Sequence, residues 1–274
     1  MFKKYFPFFK ASAMDLVAFK FNILIWLFVS ALQVVCVVCL WIGVYSSSPS
    51  PIINGFSFNE MIMYTVMTNI FSFTAMDGNT LFTINEEIKD GTIAMSFIKP
   101  TSYRLRFVFS NAGSVSVLMA LFGLPSFTIA YIVFYLIGFF VIDVWYVFLL
   151  HILLFFIAMI LASMINDTLS YIFGVLCFYT SAGWGLNQFK EVLLRFFSGF
   201  FIPLSFFPGI LKDIASFLPF SSLAQNPVLI MLMKVDIPTS LSMIGLSLGW
   251  LIILELLGHL LFAHASKKIT VHEG

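Results

Sequence analysis

The sequence predicts an all-α integral membrane protein, with six transmembrane helices in one domain that covers residues 1–274. Two observations support this fold class. First, 61% of the residues are hydrophobic and 10% are charged, whereas a soluble domain carries about 25% charged residues. Second, apolar windows of about 20 residues recur along the chain, and a helix of that length crosses a bilayer core about 30 Å thick.

Five such windows lie at 21–44, 58–82, 108–137, 144–165 and 240–263. A further apolar stretch, 166–211, is long enough for two crossings. Polar and charged residues interrupt it at Asn166, Asp167, Lys190, Glu191 and Arg195.

The distribution of basic residues predicts which ends of the helices face the cytosol. Lys and Arg are concentrated before the first window, in the stretch 84–106 and at Lys267 and Lys268. The loop "SSSPSPIINGFSF" after the first window carries no charge. Because short basic loops stay on the cytosolic side, both termini are expected in the cytosol, and the number of spans must be even.

Two arrangements of 166–211 satisfy this parity. In one, 169–187 crosses outward and leaves Lys190 and Arg195 outside. In the other, the fourth span is long and broken near Asn166 and Asp167, "WGLNQFKEVLLR" reaches the cytosol, and about 190–207 forms the fifth span. The second arrangement keeps more basic residues inside and is favoured. It predicts a second cytosolic contact surface at Gln188, Lys190 and Glu191.

Two further segments are predicted to lie at the membrane surface. Residues 1–20 form an amphipathic interfacial helix, with Lys3, Lys4, Lys10 and Lys20 directed towards lipid phosphates. Residues 207–232 are too short and polar to cross, and several prolines interrupt them. This composition predicts a re-entrant or interfacial helical hairpin on the outer side.

The charged stretch "INEEIKDGTIAMSFIKPTSYRLR", 84–106, has the starts and stops of short helices. Gly91 can adopt the left-handed conformation that ends a helix, and Thr92 can cap a second helix, "IAMSFI". Pro100 ends that helix, and Thr101 or Ser102 can cap the next. The pattern predicts a rigid docking element for a soluble partner; the alternative is a solvated loop with ordinary caps.

Ionisable residues inside the apolar windows include Asp77, Glu255 and His259. A charge there costs at least about 2.5 kcal/mol and is a functional candidate by default. Asp77 could gate or contact a substrate, or face water. Glu255 and His259 are four residues apart, and so share one helix face. They could form the proton relay of an ion-gradient-driven secondary transporter together with Asp77, or a satisfied pair packed against a neighbouring helix.

Several kinds of chemistry are not predicted. No "GxxxxGK[ST]" motif occurs, so the chain is not expected to hydrolyse ATP. No cluster of nucleophile and base or of metal ligands is evident, and Cys36, Cys39 and Cys177 lie in apolar runs. We therefore expect a protein that is not an enzyme, with no cofactor, no metal and no nucleic-acid partner.

Two motifs are similar to one known family. The pattern "E-x-x-x-G-T" with a later proline, at Glu87, Gly91, Thr92 and Pro100, resembles the cytosolic loop between the second and third spans of ABC-2 type exporter permeases. The segment "FSGFFIPLSFFPGILKDIASFLPFSSLAQNP" resembles the family's "SG-x-x-x-P" end of the fifth span and its outer hairpin. Ala94 departs from the pattern, because many members carry an acidic residue shortly after the Gly-Thr.

This resemblance implies a permease subunit of a bacterial plasma-membrane exporter that moves a hydrophobic or amphipathic substrate, such as a drug, lipid or peptide. It implies two copies of a separate ATPase, which would bind ATP and Mg, and a second permease chain, identical or related. The stretch 84–106 would be the coupling helix that docks on the ATPase. Its expected contact residues are Glu86, Glu87, Lys89, Asp90, Gly91, Thr92 and Pro100.

Overall fold

The computed structural model describes residues 2–18, 20–75, 79–98, 101–139, 144–180 and 182–272. Asp77 and Pro100, two of the predicted site residues, lie outside these ranges. The helices are α1 (Phe6–Ala18), α2 (Lys20–Ser47), α3 (Phe58–Ala75), α4 (Thr80–Lys89), α5 (Ile93–Ile98), α6 (Tyr103–Leu118), α7 (Leu124–Leu136), α8 (Trp145–Leu176), α9 (Gly183–Phe197), α10 (Gly209–Phe217), α11 (Gln225–Met231) and α12 (Ile237–His272).

Two short antiparallel strands, β1 (Ile52–Ile53) and β2 (Phe56–Ser57), connect α2 to α3. Asn54 and Gly55 both have positive φ values, of 47° and 86°, which is the conformation that a two-residue Asn-Gly hairpin requires. Lys234, which follows α11, donates to the Gly55 carbonyl and pairs with Glu60 at 2.6 Å. This contact joins the α2–α3 connection to the end of the 207–232 segment.

Four helical segments in the described part of the chain are long and apolar enough to cross a membrane: Ile23–Ser47, Tyr103–Leu136, Trp145–Leu176 and Ile237–Lys267. They confirm an all-α membrane protein. The helix α3 spans 18 residues and includes Glu60 and Asn69, and α9 spans only 15. The count of six crossings therefore stays a prediction.

The helix α8 corrects one expectation. It runs unbroken from Trp145 to Leu176, so the break predicted near Asn166 and Asp167 is wrong. The Asp167 carboxylate is paired with Arg104 of α6. Because the neighbouring helix supplies a cation for this buried carboxylate, α8 can continue through Asp167 without a break. Residues 169–176 belong to α8, so 169–187 does not form a separate helix either.

The boundaries of α9 also differ from the prediction. The sequence "WGLNQFKEVLLR" lies within this helix, which begins at Gly183 and ends at Phe197. Gly199, with φ +81°, turns the chain away soon after the helix ends. The helix expected at about 190–207 therefore lies earlier in the chain and is shorter.

The segment Tyr103–Leu136 contains a π-helical turn, Met119–Gly123, between α6 and α7. Pro125, the second residue of α7, has no amide hydrogen to donate to the helix. A Cβ atom added to Gly123 would lie 3.2 Å from Thr74 of α3. The turn therefore lies where α3 packs closely against this long helix.

The 207–232 segment folds as α10, a 3-10 helix (Pro219–Leu223) and α11. Val228, Ile230 and Met231 of α11 are fully or almost fully buried in the main apolar core, with side chains of α3 and α8. Ile210 and Phe217 of α10 are exposed. This segment therefore has one helix in the core and one on the surface, and its placement as a re-entrant or interfacial hairpin on the outer side stays a prediction.

The helix α1 packs against α6. The Ser102 amide donates to the Tyr5 hydroxyl at 2.8 Å, and the Tyr5 ring stacks on Phe109. Gly113 of α6 lies against the backbone of Phe9. The N-terminal helix predicted from the sequence is thus attached to the beginning of the segment Tyr103–Leu136.

Candidate functional site

The helix α5 is a short, separately capped element at one end of the bundle, which we call the α5 end. Gly91 has φ +68° after α4. The amides of Ala94 and Met95 donate to the carbonyls of Gly91 and Thr92, which starts α5. Ser102 then caps α6 by accepting from the Leu105 amide at 3.4 Å. The helix starts and stops predicted from Gly91 and Ser102 are confirmed.

Ile93 anchors α5 to the bundle. Its side chain is buried in an apolar cluster to which α4, α6, α8 and α12 all contribute. The other buried members of this α5 cluster are Ile84, Tyr103, Phe107, Tyr171, Val175 and Ala265. Four helices therefore meet at the base of α5, and a displacement of α5 would change its packing against this shared cluster.

Glu87 closes the loop that carries α5. Its carboxylate accepts from the Tyr103 hydroxyl and from Arg106, each at 2.8 Å, and the Arg106 guanidinium lies over the Phe107 ring. These bonds tie α4 to α6 on either side of α5. Glu87 therefore acts within the chain here, and its expected contact with an ATPase stays a prediction.

Residues 86–95, which we call the α5 loop, carry most of the other predicted contact residues on their outer surface. Glu86, Lys89, Asp90, Gly91 and Thr92 are all exposed. Met95, which the sequence analysis did not include among the contacts, is 60% exposed. Its position two residues after the inward-facing Ile93 could have revealed it, because positions i and i+2 lie on different sides of a helix.

An ion network lies next to the α5 cluster. Arg104 of α6 pairs with Asp167 of α8 and with Glu255 of α12, each at 2.6 Å. The Thr80 hydroxyl of α4 donates to Asp167 at 2.6 Å, and the Thr168 hydroxyl donates to Glu255 at 2.8 Å. Each of the four helices that meet in the α5 cluster therefore contributes to this network as well.

The Arg104 network changes the interpretation of Glu255 and His259. Glu255 is bonded to Arg104 and Thr168, and the His259 side chain is exposed. The two residues share a helix, but Glu255 turns towards α6 and α8. A network residue that the sequence analysis missed is Arg104, which it counted only among the basic residues of the stretch 84–106.

Lys190 and its neighbours in α9 are divided between the interior and the surface. The Lys190 side chain is 2% exposed and its ammonium donates to the Ser170 hydroxyl at 2.9 Å. Glu191 pairs with Lys190 and with Arg195, while Gln188 is exposed. The second contact surface stays a prediction, and Lys190 would have to leave its site in the bundle to take part in it.

Two adjoining cavities lie among these helices. The first, of about 670 Å³, lies among α2, α3, α6, α8 and α9, and we call it the central cavity. The second, of about 590 Å³, lies beneath α1 against α4 and α6, and we call it the α1 cavity. Leu16, Ile23 and Asn79 line both. The α1 cavity is also lined by Glu87 and Arg106, which belong to the helices on either side of α5.

The comparisons with known proteins agree with this architecture. A family model described as ABC-2 family transporter protein matches residues 19–272. Neither the curated proteins nor the solved structures gave a match. Long apolar helices and a family match over almost the whole length lead to one conclusion: this chain is a multi-pass membrane permease of the ABC-2 transporter family.

Proposed function

We propose that this permease is an exporter driven by a separate ATPase that docks on the outer surface of the α5 loop. The observation that carries the proposal is the division of α5 into two sides. Ile93 is buried in a cluster shared by four helices, while Met95 and the charged residues Lys89 and Asp90 face outward. An element anchored on one side and exposed on the other can transmit a push from a partner.

In this proposal the α5 end faces the cytosol of a bacterial cell, as the basic residues predict. ATP and Mg would be bound by the ATPase, in two copies. A movement of α5 would pass to α4, α6, α8 and α12 through the α5 cluster and the Arg104 network. The α5 cluster is closely packed and the Arg104 network is charge-paired. Packed interiors of this kind switch between discrete arrangements and deform little in between.

The central cavity is the proposed path for the substrate. The helix α2, on one side of this cavity, contacts mainly α3 and exposes most of its large apolar side chains, including Phe21, Ile25 and Phe28. Exposed apolar surface of this kind suits lipid or a second permease chain, identical or related. We propose that such a second chain completes the path.

The test is the assembly of the permease with the ATPase encoded beside it. The substitution Met95→Asp places a charge at the centre of the docking surface and should abolish co-purification and ATP-dependent transport. The matched control is Leu211→Asp, which places the same charge at an exposed apolar position on α10 and should leave the complex intact.

Two results would contradict the proposal. One is a full complex and full transport with Met95→Asp. The other is transport that persists without the ATPase and collapses with an uncoupler, which would instead indicate a gradient-driven carrier using Asp77, Glu255 and His259.

A further inference from the structure

Gln33 is an amide in the middle of an apolar membrane helix. It lies 13 residues after Lys20, the first residue of α2, which is about 20 Å along the helix axis at 1.5 Å per residue. Its side chain is half-buried and lines the central cavity. Within the described residues it has no hydrogen-bond partner. An amide in apolar surroundings without a partner is unfavourable, so a group that enters the cavity is the natural partner for it.

Asn69 of α3 adds a second amide to the same cavity. Its Oδ1 accepts from the Ser30 hydroxyl, one turn before Gln33 on α2. Its Nδ2 group makes no hydrogen bond to the residues that the structure describes, and Asn69 lines the central cavity. The cavity therefore offers a donor and an acceptor from the Gln33 amide of α2, and a second donor from the Nδ2 group of Asn69 of α3.

The other described residues that line the central cavity combine apolar walls with the polar side chains of Ser30, Ser72, Asn79, Asn166 and Ser198, and bring little net charge. Trp26, Phe73 and Phe200 provide aromatic surface. Among the described residues that line the cavity, the charged ones are Glu191 and Arg195, which pair with each other at 3.4 Å. Glu191 also pairs with Lys190, so each charge among these described residues has an opposite partner. A charged ligand would find no unpaired counter-charge among them, and burying an unpaired charge is costly.

We infer that the central cavity binds an uncharged amphiphile whose polar end carries hydroxyl or amide groups. Gln33 and Asn69 hydrogen-bond the polar end, and Trp26 and Phe73 contact the apolar body. The ligand enters from the α1 cavity past Asn79, whose exposed side chain lines both cavities. This inference names the substrate class of the exporter proposed above and rests on that proposed function.

The test measures protection of a cysteine in the cavity of the permease alone, reconstituted in lipid nanodiscs. Cys36, Cys39 and Cys177 are replaced by Ala, and Val29→Cys, one turn before Gln33 on the same face, is labelled with a maleimide. Octyl glucoside, octyltrimethylammonium and octyl sulfate, all below their micelle concentrations, are the probes. Octyl glucoside should slow labelling, while the charged amphiphiles with the same alkyl chain should not.

Substitutions of Gln33 assign the protection to the amide. Gln33→Leu should raise the concentration of octyl glucoside needed for half-protection about tenfold, the usual effect of one lost hydrogen bond. Gln33→Glu should shift the preference to octyltrimethylammonium. Leu32→Met, an apolar exchange at the neighbouring exposed position, is the control and should change nothing.

Equal protection by all three probes, or protection by octyl glucoside that Gln33→Leu leaves unchanged, would overturn the inference. Because the ATPase is absent from this assay, a failure to assemble the complex would not affect it. Conversely, if Met95→Asp uncouples transport and octyl glucoside gives no protection, the exporter stands and the neutral substrate class does not.

Discussion

Arg104 of α6 and Asp167 of α8 form an ion pair of 2.6 Å in which the Asp167 side chain is only 2% exposed. Glu255 of α12 approaches the same guanidinium, so that two carboxylates share one cation. The Tyr171 ring lies 4.9 Å from the Arg104 guanidinium carbon. The network holds α4, α6, α8 and α12 together directly beside the helix on which we propose that the ATPase docks.

Removal of Arg104 should strongly destabilise the permease. Arg104→Met leaves Asp167 buried without its cation, and loss of one partner of a buried ion pair costs about 3–5 kcal/mol. We expect a large decrease in the thermal unfolding temperature of the detergent-solubilised protein. Lys212→Met, at an exposed lysine of α10, is the control and should have little effect.

The paired variant Arg104→Met with Asp167→Leu should be more stable than Arg104→Met alone. Replacing both charges removes the more deeply buried of the two carboxylates that Arg104 neutralises, and exchanges of buried pairs for apolar residues are often neutral or stabilising. If the double variant were as unstable as the sum of the two single variants, the pair would not be coupled as the geometry indicates.

A larger side chain at Ala265 should disturb α5 from within. Ala265 of α12 is fully buried in the α5 cluster, which also contains Ile84 and Ile93. Ala265→Leu forces additional atoms into this cluster, and overpacking usually costs about 1–3 kcal/mol. We expect lower stability and reduced stimulation of the ATPase by the permease, measured in reconstituted liposomes.

The control for this prediction is Ala263→Leu, at an exposed position on the same helix. It should leave both stability and stimulation unchanged. Equal behaviour of the two variants would show that the α5 cluster does not govern the position of α5.

The contact between α1 and α6 should be sensitive to one methyl group. A Cβ atom at Gly113 would lie 2.2 Å from the Phe9 carbonyl oxygen, a backbone atom that cannot rotate away. Gly113→Ala should therefore displace α1. The measurement is disulfide formation between Ser12→Cys and Ser110→Cys, since these two hydroxyls are hydrogen-bonded in the native chain.

We expect rapid crosslinking in the otherwise native chain and slow crosslinking when Gly113→Ala is added. Gly43→Ala, at a helical position where a Cβ meets nothing within 4 Å, should leave the crosslinking rate unchanged. Rapid crosslinking in both backgrounds would contradict the close approach of the two helices.

Gly91 should tolerate Asn better than Ala. Its φ of +68° lies in the left-handed region, which costs most residues about 1–2 kcal/mol, and which Asn visits more readily than they do. We expect Gly91→Ala to lower ATPase stimulation and Gly91→Asn to retain more of it. Since open space surrounds this position, a difference between the two variants would report backbone conformation and not a clash.

Local sequence patterns were sufficient for the elements that neighbouring residues decide. Composition and window length predicted an all-α membrane protein, and Gly91 and Ser102 marked the boundaries of α5 and α6. These features depend on backbone preferences and caps within a few residues, so they can be recognised in the sequence without knowledge of the fold. Gln33 carried a signal as well, an isolated amide in an apolar run, which the sequence analysis did not use.

Other features depended on residues far apart in the chain. Asp167 was predicted to break a helix, and Glu255 to form with His259 either a proton relay or a pair packed against a neighbouring helix. Both carboxylates face Arg104, which is 63 and 151 residues away from them. Composition and local pattern were enough to assign the class of the fold, the long apolar helices and the boundaries of α5. Which charges neutralise each other and which amides face a cavity could be seen only in the folded chain, because packing sets the distances between helices and local periodicity does not.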